Sequence, residues 1–217
     1  MKSIKILSIL CLALLFFNFT TKKQDKPTIY TVGDSTVKNG RGDGSGGLWG
    51  WGDYIGHFLD TSKVRLENHA LGGTSSRTFQ DKGLWEAVYK KLKKGDYVMI
   101  QFGHNDDGPL NDDSRARGTI KGIGNETQEI NNMLTKKHEV VHSYGWYIQK
   151  IVREAKSKGA IPIVCSSIPR NDWKEGKVPR NNKSYGLWAR QIAKKEKVTF
   201  IELNDNMAIE MEKLGEA

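Results

Sequence analysis

The chain has 217 residues, of which 37% are apolar and 27% are charged, and its formal net charge is +9. These values are typical of one soluble globular domain, and they exclude a disordered tail, a collagen and a multi-pass membrane protein. The basic balance favours an anionic partner such as an acidic polysaccharide. No long run of Lys or Arg occurs and aromatic residues do not alternate with basic ones, so we expect no nucleic-acid partner.

The first 21 residues differ from the rest of the chain. Two lysines lie in Met1–Lys5, an apolar run follows in Ile6–Phe19, and a polar stretch begins at Thr20. A positive start before an apolar run too short to span a bilayer is typical of a secretory signal peptide. We therefore predict a signal peptide at residues 1–21, a single domain at 22–217, no membrane association after signal removal, and a periplasmic or extracellular location. The sequence predicts no oligomeric state.

Short apolar segments alternate with segments of helical period through the rest of the chain. The predicted strands are Thr28–Val32, Val64–Asn68, Tyr97–Phe102, Ala160–Ser166 and Thr199–Leu203. Apolar residues from Tyr144 to Ala155 recur at i, i+3, i+4 and i+7, which indicates a helix with one buried face, and Gly159 supplies its end. The same pattern recurs from Tyr185 to Ala193. Strands separated by helices indicate an α/β fold, a three-layer α/β/α sandwich with a central parallel sheet.

Three loops that directly follow predicted strands carry the unusual residues. They are Gly33–Thr36 after the first strand, Asn68–Arg77 at the end of the second and Gln101–Asp106 at the end of the third. Because the carboxyl ends of parallel strands meet at one edge of a sheet, we expect the three loops to lie together.

These loops contain the groups that a nucleophilic hydrolase needs. Ser35 follows a strand and a glycine, which is typical of a serine exposed on a tight turn, although Gly33–Ser35 alone is also an ordinary turn. The backbone N–H groups of Ser35 and Gly73 and the side-chain amide of Asn105 would together supply three donors to an oxyanion.

Six segments of the chain occur in an order that resembles a known family. The segments are Gly33–Val37, Trp49–Gly52, Asn68–Phe79, Gly95–Asp106, Ser143–Tyr147 and Val164–Arg170. Together they resemble the SGNH or GDSL hydrolases, and within them the rhamnogalacturonan acetylesterases of carbohydrate esterase family twelve. The resemblance implies a flavodoxin-like SGNH hydrolase fold, Ser35 as the nucleophile, and an oxyanion hole of Gly73, Asn105 and the Ser35 N–H. It also implies removal of acetyl groups from acidic pectic rhamnogalacturonan, with no cofactor and no metal.

One part of that family's pattern is absent from this chain. The family's catalytic Asp and His lie in an Asp-x-x-His block after the last strand, but here a final helix opens at Asn204–Asp205 and no histidine follows His142. A serine hydroxyl is a poor nucleophile without an adjacent base. We therefore expect the hydrolase domain to be incomplete at its carboxyl end and this chain to be a poor or inactive esterase. A non-catalytic polysaccharide-binding homologue is the alternative.

Several side chains near the three loops are predicted to bind substrate. They are Asp34, Trp49, Trp51, Arg77 and His104, with Arg170 and Arg180 as further candidates. Aromatic faces often stack against sugars, but packing in the core is an equally good interpretation of Trp49 and Trp51. Arg77 is the preferred partner for a substrate carboxylate because it follows the oxyanion loop. For His104, hydrogen bonding within its loop is the main expectation and an improvised general base the lesser one.

The segment His138–His142 matches the His-Glu-x-x-His pattern of zinc metallopeptidases. On a helix it would place both imidazoles on one face, with Glu139 as general base. A catalytic zinc normally takes three protein ligands, and no later histidine exists to be the third. We therefore expect a chance match and keep the zinc metallopeptidase as the least favoured alternative.

Overall fold

The computed structural model describes residues 25–216, so the predicted signal peptide lies outside the described residues. Seven strands are formed: β1 Thr28–Gly33, β2 Arg65–Asn68, β3 Tyr97–Gln101, β4 Thr127–Asn131, β5 His138–His142, β6 Ile161–Cys165 and β7 Thr199–Ile201. Five of them make a parallel sheet in the order β2-β1-β3-β6-β7. All five predicted strands are confirmed, with ends that differ by one or two residues.

Helices flank this sheet, which confirms the α/β fold class. They are α1 Trp51–Tyr54, α2 Ser76–Asp81, α3 Leu84–Lys91, α4 Tyr144–Ser157, α5 Tyr185–Glu196 and α6 Leu203–Leu214, with 3₁₀ turns at Ser45–Gly47 and Ile55–Phe58. The predicted helix from Tyr144 is confirmed as α4. The Ser143 hydroxyl caps its start by accepting from the Trp146 N–H, and Gly159 adopts a φ of +72° just beyond its end.

One face of the sheet packs against a continuous apolar core. Alternate residues along a strand point to the same face, so Tyr30 and Val32 of β1 and Val98 and Ile100 of β3 enter this core together. The helices contribute large buried side chains to it: Phe79, Trp85, Ile148, Ile151 and Ile192. This core fixes how neighbouring strands align along their axes, and it therefore fixes the positions of the loops at their carboxyl ends.

The segment His138–His142 is strand β5, paired antiparallel with β4, and not a helix. A strand rises about 3.3 Å per residue, so His138 and His142 lie about 13 Å apart along it and cannot share one metal ion. His138 faces Glu129 at 3.3 Å, and the ring of His142 stacks on Trp146 with centroids 3.8 Å apart. The zinc-metallopeptidase alternative is therefore wrong. Residues 25–216 contain no group of three His, Cys, Asp or Glu residues placed to hold a metal.

None of the helices in the described part of the chain has the length and apolar character needed to cross a bilayer.

Candidate active site

The turn after β1 presents Ser35 at the carboxyl edge of the sheet. The backbone N–H groups of Val37 and Lys38 both donate to the Asp34 carbonyl at 3.1 Å, which closes the turn around Ser35. Gly33 precedes it, and a Cβ there would lie 2.5 Å from the carbonyl oxygen of Gln101, so only glycine lets β1 and β3 pair this closely. Ser35 is half-buried, and within residues 25–216 its hydroxyl makes no hydrogen bond.

A chain of polar contacts holds this turn in place. Asp34 Oδ1 accepts from Thr36 N at 2.9 Å and Thr36 Oγ1 at 2.7 Å. Gln101 Nε2 donates to Thr36 Oγ1 at 2.5 Å, and Trp51 Nε1 donates to Gln101 Oε1 at 2.8 Å. Asp34 is fully buried, so the prediction that it contacts substrate is wrong and its carboxylate shapes the turn instead. The indole N–H of half-buried Trp51 serves the same network, and substrate contact through its ring face stays a prediction.

The loop after β2 brings two glycines against the Ser35 turn. A Cβ on Gly72 would lie 3.5 Å from the Ser35 Cβ, and Gly73 adopts a φ of +82°. Among the hydrogen bonds of the described residues, the backbone N–H groups of Ser35 and Gly73 have no acceptor. Asn105 Nδ2 donates one hydrogen to the Thr74 carbonyl at 2.8 Å, which leaves its second hydrogen free. The structure thus brings together the three predicted oxyanion donors, whose catalytic role stays a prediction.

The loops after β2 and β3 are joined through Asp106. Its carboxylate is fully buried and accepts from the Ser76 backbone N–H at 3.1 Å and the Ser76 hydroxyl at 2.5 Å. Burial raises the pKa of Asp106 to about 7, with a further rise from nearby Asp34, against the opposing effect of the Ser76 hydrogen bonds. A buried carboxyl group therefore fixes the relative positions of Asn105 and the start of α2.

Arg77 lies inside the protein rather than in a substrate cleft. It is 1% exposed, and its guanidinium donates to three carbonyl oxygens at 2.7–3.0 Å, those of Leu110, Ala116 and Gly118. It also contacts the Glu139 carboxylate at 3.1 Å. The prediction that Arg77 binds substrate is therefore wrong, because these partners occupy the side chain. It holds the long loop between β3 and β4 against α2.

The other predicted substrate residues occupy different surroundings. His104 Nε2 lies 2.8 Å from the Ile168 carbonyl, and His104 lines a cavity of about 210 Å³ together with exposed Arg170. Arg180 shares that cavity, but its guanidinium is paired with Asp205 and Glu212. Trp49 is 44% exposed and rests on the ring of Tyr54, with centroids 4.5 Å apart. Substrate contact by His104, Arg170 or Trp49 stays a prediction.

Arg117 is a candidate site residue that the sequence reasoning missed. Its Nη1 donates to the Gly73 carbonyl at 2.8 Å, so the guanidinium lies directly beside the oxyanion loop. Burial lowers the pKa of Arg117, and the neighbouring charges of Arg115 and Arg170 lower it further, while Asp34 and Asp106 act in the opposite sense. No motif marks this arginine in the sequence, since it lies in an irregular loop well after the Asn105 segment.

No histidine among residues 25–216 hydrogen-bonds to Ser35. His69 faces Glu67 at 2.7 Å, His138 faces Glu129, His142 stacks on Trp146, and His104 meets Ile168. The described site can therefore supply a serine nucleophile and oxyanion donors, and the general base that would activate the serine is not among its hydrogen-bonding partners.

Comparison with known proteins finds esterases among the relatives of this chain. The chain is 33% identical over 188 residues to a rhamnogalacturonan acetylesterase of Emericella nidulans, covering 87% of this chain and 71% of that protein. It is 28% identical over 175 residues to a probable rhamnogalacturonan acetylesterase, YesY, of Bacillus subtilis, covering 81% of this chain and 69% of that one. It also spans only 43% of the length of YxiM, an esterase of Bacillus subtilis, with 32% identity over 189 residues.

Solved structures share the same fold. The crystal structure of YxiM superposes with a TM-score of 0.67 at 27% identity, covering 88% of this chain and 47% of that one. Axe2, an acetylxylan esterase from Geobacillus stearothermophilus, superposes with a TM-score of 0.55 at 21% identity, covering 85% of this chain and 80% of that one, a likeness of fold alone. Residues 31–214 match the GDSL-like Lipase/Acylhydrolase family, a family of ester hydrolases. Because that match extends over most of its length, this chain belongs to the GDSL-like lipase/acylhydrolase family.

Proposed function

We propose that this chain is a carbohydrate acetylesterase that acts through Ser35 on acetylated, acidic rhamnogalacturonan. The observation that carries the proposal is the convergence of Ser35, Gly73 and Asn105 from the carboxyl ends of three adjacent strands. Their loops are fixed to one another by the Asn105–Thr74 and Asp106–Ser76 hydrogen bonds. A preorganised set of donors around a half-buried serine with a free hydroxyl suits attack on an ester carbonyl.

In the proposed reaction, Ser35 Oγ attacks the acetyl carbonyl while a general base takes its proton. The N–H groups of Ser35 and Gly73 and the Asn105 amide stabilise the tetrahedral oxyanion, and the sugar hydroxyl leaves with a proton. Water then attacks the acetyl-enzyme and releases acetate, with the base acting again in the same way. The step needs neither a redox reagent nor a second substrate apart from water.

The polysaccharide is inferred from the relatives and from charge. Relatives named rhamnogalacturonan acetylesterases match at 27–33% identity over most of the chain. Without residues 1–21, which contain Lys2 and Lys5, the formal charge is still +7, and it favours a substrate that carries carboxylates over a neutral one.

Acetate release tests this function. Acetylated rhamnogalacturonan and acetylated xylan are compared as substrates, with Ser35→Ala as the matched control. We expect Ser35-dependent acetate release that is faster from the acidic polymer. Release that is unchanged in Ser35→Ala, or a preference for xylan, would contradict the proposal.

A non-catalytic polysaccharide-binding protein is the second candidate, because no histidine in the described residues hydrogen-bonds to Ser35. Labelling with a fluorophosphonate separates the two, since only an activated serine reacts. Binding of pectic polysaccharide without labelling of Ser35 would favour the binding protein.

We also propose that the protein is exported, on the strength of the basic start and apolar run in residues 1–21. The location and intact mass of the expressed protein test this. Protein found only in the cytoplasm, with Met1–Thr21 retained, would contradict it.

A further inference from the structure

A second cavity of about 210 Å³, lined in part by Gly73 of the oxyanion loop, shares no lining residue with the one that His104 lines. Gly73 lies at one end of it, and its walls come from the end of α2, the loop before β4 and the β4–β5 hairpin. Four basic side chains line it, and we call this cavity the basic groove: Lys82, Arg115, Arg117 and Lys137. A substrate whose acetyl group meets Ser35 would therefore have this groove next to it.

The groove carries an excess of positive charge that its own carboxylates do not neutralise. Asp81 and Glu139 also line it, but both face the buried guanidinium of Arg77, at 3.5 and 3.1 Å respectively. Within residues 25–216, none of the four basic side chains lies within 4.0 Å of a carboxylate oxygen. Arg77 offsets one of these two negative charges, so the basic groove still carries a formal excess of three positive charges.

Arg117 is the member of the groove best placed to select a ligand. It is half-buried, whereas Lys82, Arg115 and Lys137 are exposed. One of its donors is bound to the Gly73 carbonyl at 2.8 Å, and a guanidinium has five, so several stay available. Burial lowers its pKa most, and the charge of Arg115, which also lines the groove, lowers it further through repulsion between the two cations, against the opposing effect of Asp34 and Asp106. An anion bound among them would relieve that repulsion.

We propose that the basic groove is a subsite for the carboxylate of a uronic acid unit next to the acetylated sugar, with Arg117 as the residue that determines specificity for acidic polymers. The proposal rests on the proposed function above. A planar carboxylate can pair with two guanidinium N–H groups at once, and this geometry favours it over a neutral hydroxymethyl group at the same place. The hydrogen bond to Gly73 fixes the distance between the carboxylate subsite and the oxyanion donors.

Binding to the full chain tests the subsite without requiring turnover. Calorimetric titration with acetylated rhamnogalacturonan oligosaccharides is compared with titration with acetylated xylan oligosaccharides. The variants are Arg117→Gln, Arg117→Lys and, as a control for net charge, Arg153→Gln on the outer surface of α4, where Arg153 pairs with Glu196. Thermal unfolding of each variant checks that it folds.

We expect Arg117→Gln to weaken binding of the acidic oligosaccharide by about tenfold or more while leaving binding of the neutral one unchanged. Arg117→Lys should recover part of the loss, and Arg153→Gln should behave like the wild type. Added salt should weaken acidic binding more in the wild type than in Arg117→Gln.

Two results would overturn the subsite. One is unchanged acidic binding in Arg117→Gln, and the other is an equal loss for acidic and neutral oligosaccharides, which indicates a structural role. Failure of the proposed function is distinguishable. If the wild type binds the acidic oligosaccharide through Arg117 but releases no Ser35-dependent acetate, the subsite is supported and the esterase function is contradicted. If the wild type binds neither oligosaccharide, both proposals are contradicted.

Discussion

Arg77 illustrates how a side chain can look like a substrate ligand in sequence and serve as internal support in the fold. It follows the oxyanion loop directly, which is why sequence position favoured a substrate role. Its partners Leu110, Gly118 and Glu139 lie 33, 41 and 62 residues away in sequence. Contacts at such separations depend on how the loop between β3 and β4 returns to α2, and no local pattern in the sequence records that path.

Replacing Arg77 should therefore destabilise the fold. Arg77→Met would leave three buried carbonyl oxygens and the Glu139 carboxylate without their donor, at an expected cost of about 3–5 kcal/mol in the free energy of unfolding. Neighbouring Lys82 is exposed, so Lys82→Met should change stability by less than about 0.5 kcal/mol. Urea denaturation measures both. Equal, small effects of the two substitutions would show that Arg77 is not structural.

The Ser35 hydroxyl should react slowly, because no histidine among the described residues forms a hydrogen bond with it. We expect slow hydrolysis of an aryl acetate by the 217-residue chain and acceleration by added imidazole, since a positioned base is worth about 10²–10⁴-fold and a diffusible one recovers part of that. Imidazole also cleaves aryl acetates directly, so Ser35→Ala with the same imidazole gives the background.

Only the Ser35-dependent part of the rate bears on the site. A Ser35-dependent acceleration of about tenfold would support a complete nucleophile and oxyanion hole that lack a bound base. Fast turnover without imidazole, abolished in Ser35→Ala, would instead show that the chain supplies its own base.

The β4–β5 hairpin is an element whose secondary structure the sequence pattern did not predict. His138–His142 matches a zinc motif only if it is helical, whereas in strand β5 exposed His138 and Val140 alternate with half-buried Glu139 and buried Val141. The sequence itself shows no apolar alternation here, because Val140 and Val141 are adjacent, so its period could not separate a strand from a helix. Strands β1, β3, β6 and β7 of the main sheet were predictable because each is rich in apolar and β-branched residues, whereas β2, Arg65–Asn68, has a single apolar residue.

The connection between the loop after β3 and helix α2 should make stability depend on pH. Asp106 has a pKa of about 7 in the folded protein against an ordinary value of 3.8. Between those values the folded state holds a proton that the unfolded state has released, so the free energy of unfolding falls as pH rises from about 4 to 7. The slope approaches about 1.4 kcal/mol per pH unit, and stability is greatest on the acidic side of this window.

Asp106→Asn removes this titration while keeping an acceptor for Ser76. Urea denaturation across the same pH range should therefore give a flatter profile for Asp106→Asn than for the wild type. Asp113→Asn, at an exposed position, is the control and should keep the wild-type slope. Parallel profiles for the wild type and Asp106→Asn would show that another group dominates the pH dependence.

At the scale of the whole molecule, the order of the strands explains both what was predictable and what was not. Apolar runs and helical periods were enough to predict a parallel sheet, and a parallel sheet places Ser35, Gly73 and Asn105 at one edge. The sequence could not show which side chains at that edge turn inward. Asp34 and Arg77 are buried while Arg117 lines a cavity, because burial depends on packing between loops that lie far apart in sequence.

Cys165 offers a direct measure of whether this sheet unfolds as one unit. It ends β6, pairs in register with Ile201 of β7, and is completely buried, and burial raises the pKa of its thiol to about 12. Since the thiolate is the reactive form, a disulfide reagent at neutral pH should not modify it in the folded protein.

In a Cys11→Ser variant, which leaves Cys165 as the only cysteine in the sequence, labelling should therefore follow the same urea transition as the circular dichroism signal. Labelling well below that transition would show that β6 and β7 open before the rest of the sheet, and the carboxyl edge that carries the site would then be held by β1, β2 and β3 alone.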